Sequence, residues 1–435
     1  MIKVGFKKVC WSIQLQRHSG KLVVQLLLAS GAKFKWHLDF APLGWSQFVT
    51  KVHKYFTRPI SPTRPNSLLL PRHQTRHRPG LYCYTTFLKP MIRKLTLILA
   101  LLAAVIQLPA QPAPIRDLQP TVILISMDGF RYDYLDKYQP ENILALAKKG
   151  VRADWMTPSY PSLTFPNHYT IATGLYPAHH GIVANNMYDP EFDASFSLSK
   201  REEVQNGRWW EGEPIWVTVE KQGQKAGCFF FPGTEAEIQG VRPTFWKVYD
   251  GRIAFEDRVD QILTWLDLPQ EQRPTFFTLY FEEPDHAGHT FGPDAPETAG
   301  AVARVDDMIG RLTAGLKARG ILKQVNLILV SDHGMAPVKP ENNVFLDDAF
   351  NLELAAQISW GSSMVTIFPK PGEADRILAS AQAHPLQHAR LYKREDLPEH
   401  FHYAGHRRIP PFVVVAEPGW RITSKSFYED QKARQ

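Results

Sequence analysis

Cysteine is scarce in this chain: there are three in 435 residues, and two of them, Cys10 and Cys83, fall within the first 90 positions. Further on only Cys228 remains, in an apolar and aromatic stretch. No disulfide framework or zinc-finger spacing is available there, and Cys228 reads as core filler. Acid is also scarce, but only locally. Residues 1–90 hold 15 Lys and Arg against a single acid, Asp39, whereas the rest of the chain holds 35 basic and 42 acidic residues. The formal net charge of +7 therefore belongs to the first 90 residues, and the acidic remainder argues against nucleic-acid binding. Long apolar runs are missing. The run Leu95–Ile106 has 12 residues, too short for a stable membrane span. No internal repeat or low-complexity tract follows the first 90 residues.

What is present begins at Met91. A short basic stretch with Arg93 and Lys94 precedes the apolar run, and Gln107–Ala110 supplies a small-residue cleavage region before several prolines. This is the plan of a secretory signal peptide over 91–110, and it implies a secreted or periplasmic protein. Residues 1–90 are expected to be either upstream sequence that the native protein lacks or a disordered basic leader.

After the signal, apolar strands alternate with helical patterns. Residues 121–127, 275–281 and 325–330 read as buried strands. Residues 140–149, 255–268 and 302–316 read as helices, with Gly150 and Gly320 as stops. The alternation predicts an α/β fold with a mostly parallel central sheet and helices on both faces. A less regular stretch at about 350–420 reads as a smaller inserted lobe.

Each buried strand runs into acid. The first leads to Asp128-Gly129, the second to Asp285 and His289, the third to Asp332-His333-Gly334. A parallel sheet delivers its strand ends to one edge, where ligands bind. Several carboxylates crowded there require a cation, and a mixed Asp/His set suits zinc or a similar divalent ion better than calcium. Thr164 stands two residues before Pro166, so it is expected at a helix N-terminus, a position that suits a phosphate. Beside a metal its hydroxyl becomes a candidate nucleophile.

These segments resemble the nucleotide pyrophosphatase/phosphodiesterase family of the alkaline phosphatase superfamily. The resemblance rests on residues 127–131, 164–168, 181–190, 283–289 and 331–334, in family order, and covers roughly 120–420. It implies a catalytic domain over 118–435 that hydrolyses phosphodiester or pyrophosphate bonds in nucleotides or related small molecules. It further implies Thr164 as nucleophile, two Zn2+ ions, one on Asp128, Thr164, Asp332 and His333 and the other on Asp285 and His289, with Asn185 donating to a phosphoryl oxygen. Tyr249 matches a base-stacking position. The family completes the second ion's site with a His in a Gly-x-His-Gly segment, which this sequence does not contain, so that site is expected to be incomplete. A choline-phospholipid phosphodiesterase, a phosphomonoesterase and an inactive metal-binding remnant are the competing readings; Thr164 and Asn185 favour diesters. His168, His179, His180, His286 and His406 receive no catalytic role from the sequence.

Overall fold

The computed structural model describes residues 2–6, 9–18, 21–28, 33–39 and 112–433, which fall into two units divided after Ala104. In the first unit β1 (Ile2–Phe6), β2 (Val9–His18), β3 (Lys21–Leu28) and β4 (Lys33–Asp39) pair antiparallel in sequence order. The signal peptide expected at 91–110 lies outside the described residues.

In the second unit the chain runs through β5 (Thr121–Met127), the hairpin β6 (Asn186–Asp189) and β7 (Ala194–Ser197), then β8 (Ala226–Phe229), β9 (Phe245–Trp246), β10 (Phe276–Phe281) and β11 (Val325–Val330). Five of these strands form one sheet in the order β11-β5-β10-β8-β9, and every pairing in it is parallel. The intervening helices are α1 (Tyr134–Tyr138), α2 (Glu141–Ala147), α3 (Thr164–Thr173), α4 (Pro177–His180), α5 (Arg201–Val204), α6 (Ile215–Lys221), α7 (Phe255–Leu266), α8 (Asp285–Phe291) and α9 (Pro296–Ala318).

Strand alternation distributes the sheet's side chains to two cores. Ile123, Ile125 and Met127 join Val259, Ile262 and Leu266 of α7 and Val305, Ile309 and Leu312 of α9 on one face. Leu124 and Cys228 join Tyr169, Trp209, Trp216 and Val217 on the other. Both faces are therefore covered, as the unbroken apolar runs of β5 and β10 require. β11 departs from expectation. Its apolar run reads as a buried strand, yet Ile328 is 46% exposed and Asn326 is also exposed. The reason is position: β11 is an edge strand, paired on one side only with β5.

The smaller lobe is an antiparallel sheet of order β13-β14-β16-β15, and it follows β12 (Asn343–Phe345). Its strands are β13 (Ala355–Trp360), β14 (Met364–Pro369), β15 (Ala389–Lys393) and β16 (Phe412–Ala416), with α10 (Ala374–Ala383) packed through Ile377. The segment leading into β16 is bolted to the main body. Fully buried Arg408 donates to Asp189 Oδ2 at 2.6 Å and to the carbonyls of Gly181 and Trp209 at 2.7 Å. Tyr403 donates its hydroxyl to the carbonyl of Val183 at 2.7 Å. Both grip the 181–189 segment that carries Asn185.

A candidate metal centre at the carboxyl edge of the sheet

Parallel register sets the ends of β5, β10 and β11 side by side: Met127 pairs with Phe281, and Ser126 with Val330. The residues just beyond are knitted by backbone. Asp285 N–H donates to the Asp128 carbonyl at 3.0 Å, and Gly129 N–H donates to Asp332 Oδ1 at 3.1 Å. Gly129 has φ +65°, and a Cβ there would lie 2.8 Å from Cβ of Asp285. Only glycine lets the two strand ends approach this closely.

Thr164 is the first residue of α3. The N-cap is Leu163, extended and without a side-chain cap, so the Thr164 hydroxyl is not committed to capping. Its Oγ lies 3.3 Å from Nε2 of His333. That nitrogen also stands 3.3 Å from Asp332 Oδ2 and 3.6 Å from Asp128 Oδ1. The other ring nitrogen, Nδ1, meets the Gly334 carbonyl at 2.8 Å, so the proton assigned by this bond sits on Nδ1 and Nε2 presents a lone pair.

The donor set is chemically unbalanced. Asp128 Oδ1, Asp332 Oδ2 and Asp285 Oδ1 are buried, and none has a hydrogen-bond partner. With His333 Nε2 they form a ring of lone pairs facing one another, which is costly without a positive charge between them. Bonds of about 2.0–2.1 Å to a tetrahedral ion would separate ligand atoms by about 3.3 Å, close to the spacing seen here. Asp128, Asp285 and His333 offer ligand atoms within 4.8 Å of one another, as do Asp128, His168 and Asp332. The residues thus fit a divalent cation.

Protonation tells the same story. Burial pushes the Asp128 carboxyl well above its usual range, and the nearby Asp332 and Asp285 carboxylates push it further. Burial also raises Asp285. Burial raises Asp332 too, but His168, His333 and the Gly129 N–H outweigh it and bring that carboxyl down to about 2. Without a cation the first two resist ionisation while the third stays charged.

The second half of the site is thinner. His289 follows Asp285 by one turn of α8, with Nε2 at 3.5 Å from Asp285 Oδ1, and its side chain is 69% exposed. Among the described residues no group of three ligating side chains includes His289. Asn185 Oδ1 accepts from Phe165 N–H at 2.9 Å. Asn185, Thr164, His289 and His333 line one open cleft of about 280 Å³. Tyr249 does not line that cleft. It packs 5.2 Å from Phe230 and 6.2 Å from Tyr280, ring to ring, and reaches the centre only through Tyr280.

Two residues join the site that the sequence did not single out. Tyr280, buried in β10, donates its hydroxyl to Asp128 Oδ2 at 2.6 Å. His168, fully buried one turn after Thr164, places Nδ1 at 2.8 Å from the Thr164 carbonyl and 3.2 Å from Asp332 Oδ2, while Nε2 meets Ser126 Oγ at 2.8 Å. The available signals were the i, i+4 spacing from Thr164 and a tyrosine inside an apolar strand, whose hydroxyl needs a partner. His406, by contrast, lies 3.3 Å from Glu211, away from this centre.

A family model described as type I phosphodiesterase / nucleotide pyrophosphatase matches residues 122–434. Human ectonucleotide pyrophosphatase/phosphodiesterase family member 1 is 42% identical over 315 residues, 70% of this chain and 34% of its own length. An uncharacterized pyrophosphatase/phosphodiesterase of Schizosaccharomyces pombe is 40% identical over 318 residues, 70% of this chain and 64% of its own. Among solved structures, murine ectonucleotide pyrophosphatase/phosphodiesterase 5, in an inactive form in complex with AMP, aligns with TM-score 0.67 and 36% identity over 71% of this chain and 82% of that one. The chain thus spans about a third of the length of the human relative.

Proposed function

The chain belongs to the type I phosphodiesterase / nucleotide pyrophosphatase family, and from that premise we propose that it hydrolyses phosphodiester or pyrophosphate bonds in nucleotides or related small molecules through Thr164. The observation that carries this reading is the uncapped Thr164 hydroxyl, 3.3 Å from His333 Nε2, beside buried carboxylate oxygens that have no hydrogen donor. Asp128, Thr164, Asp332 and His333 would hold one zinc ion; Asp285 and His289 would hold a second with fewer protein ligands.

When bound, the ions supply charge neutralisation and a lowered hydroxyl pKa. The rest is the chain's own work. Thr164 Oγ gives up its proton and attacks phosphorus, the bond to the leaving oxygen breaks, that oxygen departs with a proton, and a nucleotidyl ester of Thr164 forms. Water then cleaves that ester and returns the proton to the hydroxyl. Asn185 lines the cleft and its Oδ1 accepts from Phe165 N–H, which would leave its amide N–H groups for a phosphoryl oxygen. The N-terminus of α3 favours the same anion. Tyr249 would carry the nucleobase. A signal peptide over 91–110 would place the domain over 118–435 outside the cytoplasm, in keeping with relatives named ectonucleotide pyrophosphatase/phosphodiesterase and venom phosphodiesterase.

The test is a comparison of three nitrophenyl esters, of thymidine monophosphate, of phosphate and of phosphocholine, with zinc present. The thymidine ester should be cleaved at least tenfold faster than the others. Faster cleavage of the phosphocholine ester, or of nitrophenyl phosphate, would overturn the substrate class.

A further inference from the structure

The cleft that opens on Thr164 and Asn185 has a second wall, and that wall comes from the smaller lobe. The β13–β14 hairpin contributes Ser359, Trp360, Ser362, Ser363 and Thr366 to the lining. Three features of this wall bear on what it can hold.

Its polar groups are unspent. The side chains of Ser359, Ser362, Ser363 and Thr366 make no hydrogen bond within the described residues, although the hairpin backbone that carries them is pinned at several points. Ser359 pairs with Thr366 across the hairpin, Gly361 N–H donates to Met364 O at 2.9 Å, and the carbonyls of Ser362 and Ser363 accept from Ile422 and Ala416 at 2.8 and 2.9 Å. A Cβ at Gly361 would lie 2.8 Å from the Met364 carbonyl, so the turn is tightly closed. Free hydroxyls on a rigid frame bind a partner with little ordering cost. The wall is also uncharged. Among the described residues no Asp, Glu, Lys or Arg lines the cleft, and His289 and His333 are the only titratable groups there. Finally, Trp360 is 39% exposed at the rim of the hairpin, beside those hydroxyls.

We propose that this hairpin wall is a subsite for the second substituent on phosphorus, and that it takes a neutral, hydroxyl-bearing ring group such as a nucleoside or sugar. This deepens the phosphodiesterase reading and rests on it for the position of the phosphorus. Hydroxyls both donate and accept, matching ribose or hexose hydroxyls, and the indole gives a stacking face for a base or sugar ring. A polyphosphate would meet no Lys or Arg to receive its charge. A quaternary ammonium group would meet one aromatic ring and no acid, far short of a cage. Because Tyr249 does not line this cleft, a base resting on Tyr249 and a group resting on Trp360 are different parts of one substrate.

Binding decides the matter without turnover. Zinc-loaded Thr164→Ala protein is titrated calorimetrically with a nucleoside monophosphate, a dinucleoside monophosphate and a nucleoside triphosphate. The dinucleoside monophosphate should bind at least tenfold more tightly than the monophosphate. Trp360→Ala should erase that gain while changing the monophosphate less than twofold, and Ser362→Ala/Ser363→Ala should reduce it several-fold with the hairpin backbone intact. No gain for the second nucleoside, a gain that survives both variants, or a larger Trp360-dependent gain for the triphosphate would overturn the proposal. Failure of the wild-type protein to cleave any diester would instead count against Thr164 catalysis, and these affinities would still be readable.

Discussion

Asp128 is held from two sides: one oxygen takes the Tyr280 hydroxyl at 2.6 Å, while the other is buried without a donor and faces His333. His168 meets the Thr164 carbonyl through Nδ1 at 2.8 Å and packs that nitrogen 3.2 Å from Asp332 Oδ2, so it braces both the start of α3 and the second carboxylate. Such partners orient metal ligands, and their loss typically weakens metal affinity by about 10–100-fold. Tyr280→Phe and His168→Asn should therefore each weaken zinc binding within about that range, measured against a chromophoric chelator, with the circular dichroism spectrum unchanged; unaltered affinity would mean that these residues only fill space. The titration behaviour gives a second prediction. Asp128 and Asp285 are raised in the folded chain, so the stability they contribute is present at low pH and is lost as the pH rises through their folded values. Asp332, held near 2, contributes stability above the usual carboxylate value of about 4 and loses it only as the pH falls toward 2. Metal-free protein should thus lose thermal stability as the pH is raised from about 4, less so in Asp128→Asn, while the stabilisation by added zinc grows over the same interval because coordination needs the ionised form. Calorimetry across pH, with and without chelator, checks both slopes; identical metal-free slopes in wild type and variant would contradict them. At this scale the clustering of Asp128, Asp285, Asp332 and His333 was legible because acids directly after apolar strands share one edge. Tyr280 and His168 were hidden because their partners are 152 and 164 residues away in sequence.

Among the elements, the least tolerant contact is the one that fastens the smaller lobe. Arg408 and Asp189 are both buried, joined at 2.6 Å. Removing Arg408 takes away that partner and the donors to the Gly181 and Trp209 carbonyls, and leaves Asp189 only the part-exposed Arg407 at 2.8 Å, a loss of about 3 kcal/mol, the low end for a broken buried pair. Arg408→Ala should cost about that much in urea unfolding, and Arg408→Met with Asp189→Asn should recover a substantial part of it; a cost below about 1 kcal/mol would show that the pair is dispensable. Because Arg408 also grips the Gly181 carbonyl, the single variant should raise KM through Asn185 before it lowers kcat. Helix periodicity made α7 and α9 readable, since Val259, Ile262, Leu263 and Leu266 of α7 and Val302, Val305, Met308, Ile309, Leu312 and Leu316 of α9 are all buried. β11 misled because a run of apolar residues records hydrophobicity and not the number of neighbours. Its outer side is open, and Ile328 faces solvent.

At the scale of the whole molecule, a five-stranded parallel sheet gathers acids and imidazoles from three strand ends, and α3 delivers a hydroxyl to the same place. The fold class was legible because strands and helices alternate; the lobe's antiparallel order was not, since β14 and β16 find each other across an intervening helix and strand. The central claim is that Thr164 reacts covalently. Rapid quenching of the zinc-loaded protein during turnover of thymidine 5′-(4-nitrophenyl) phosphate, followed by peptide mass analysis, addresses it most directly. The account predicts a thymidylyl adduct on the peptide containing Thr164 and neither adduct nor hydrolysis in Thr164→Ala. Undiminished hydrolysis by Thr164→Ala, or an adduct on any other residue, would contradict it.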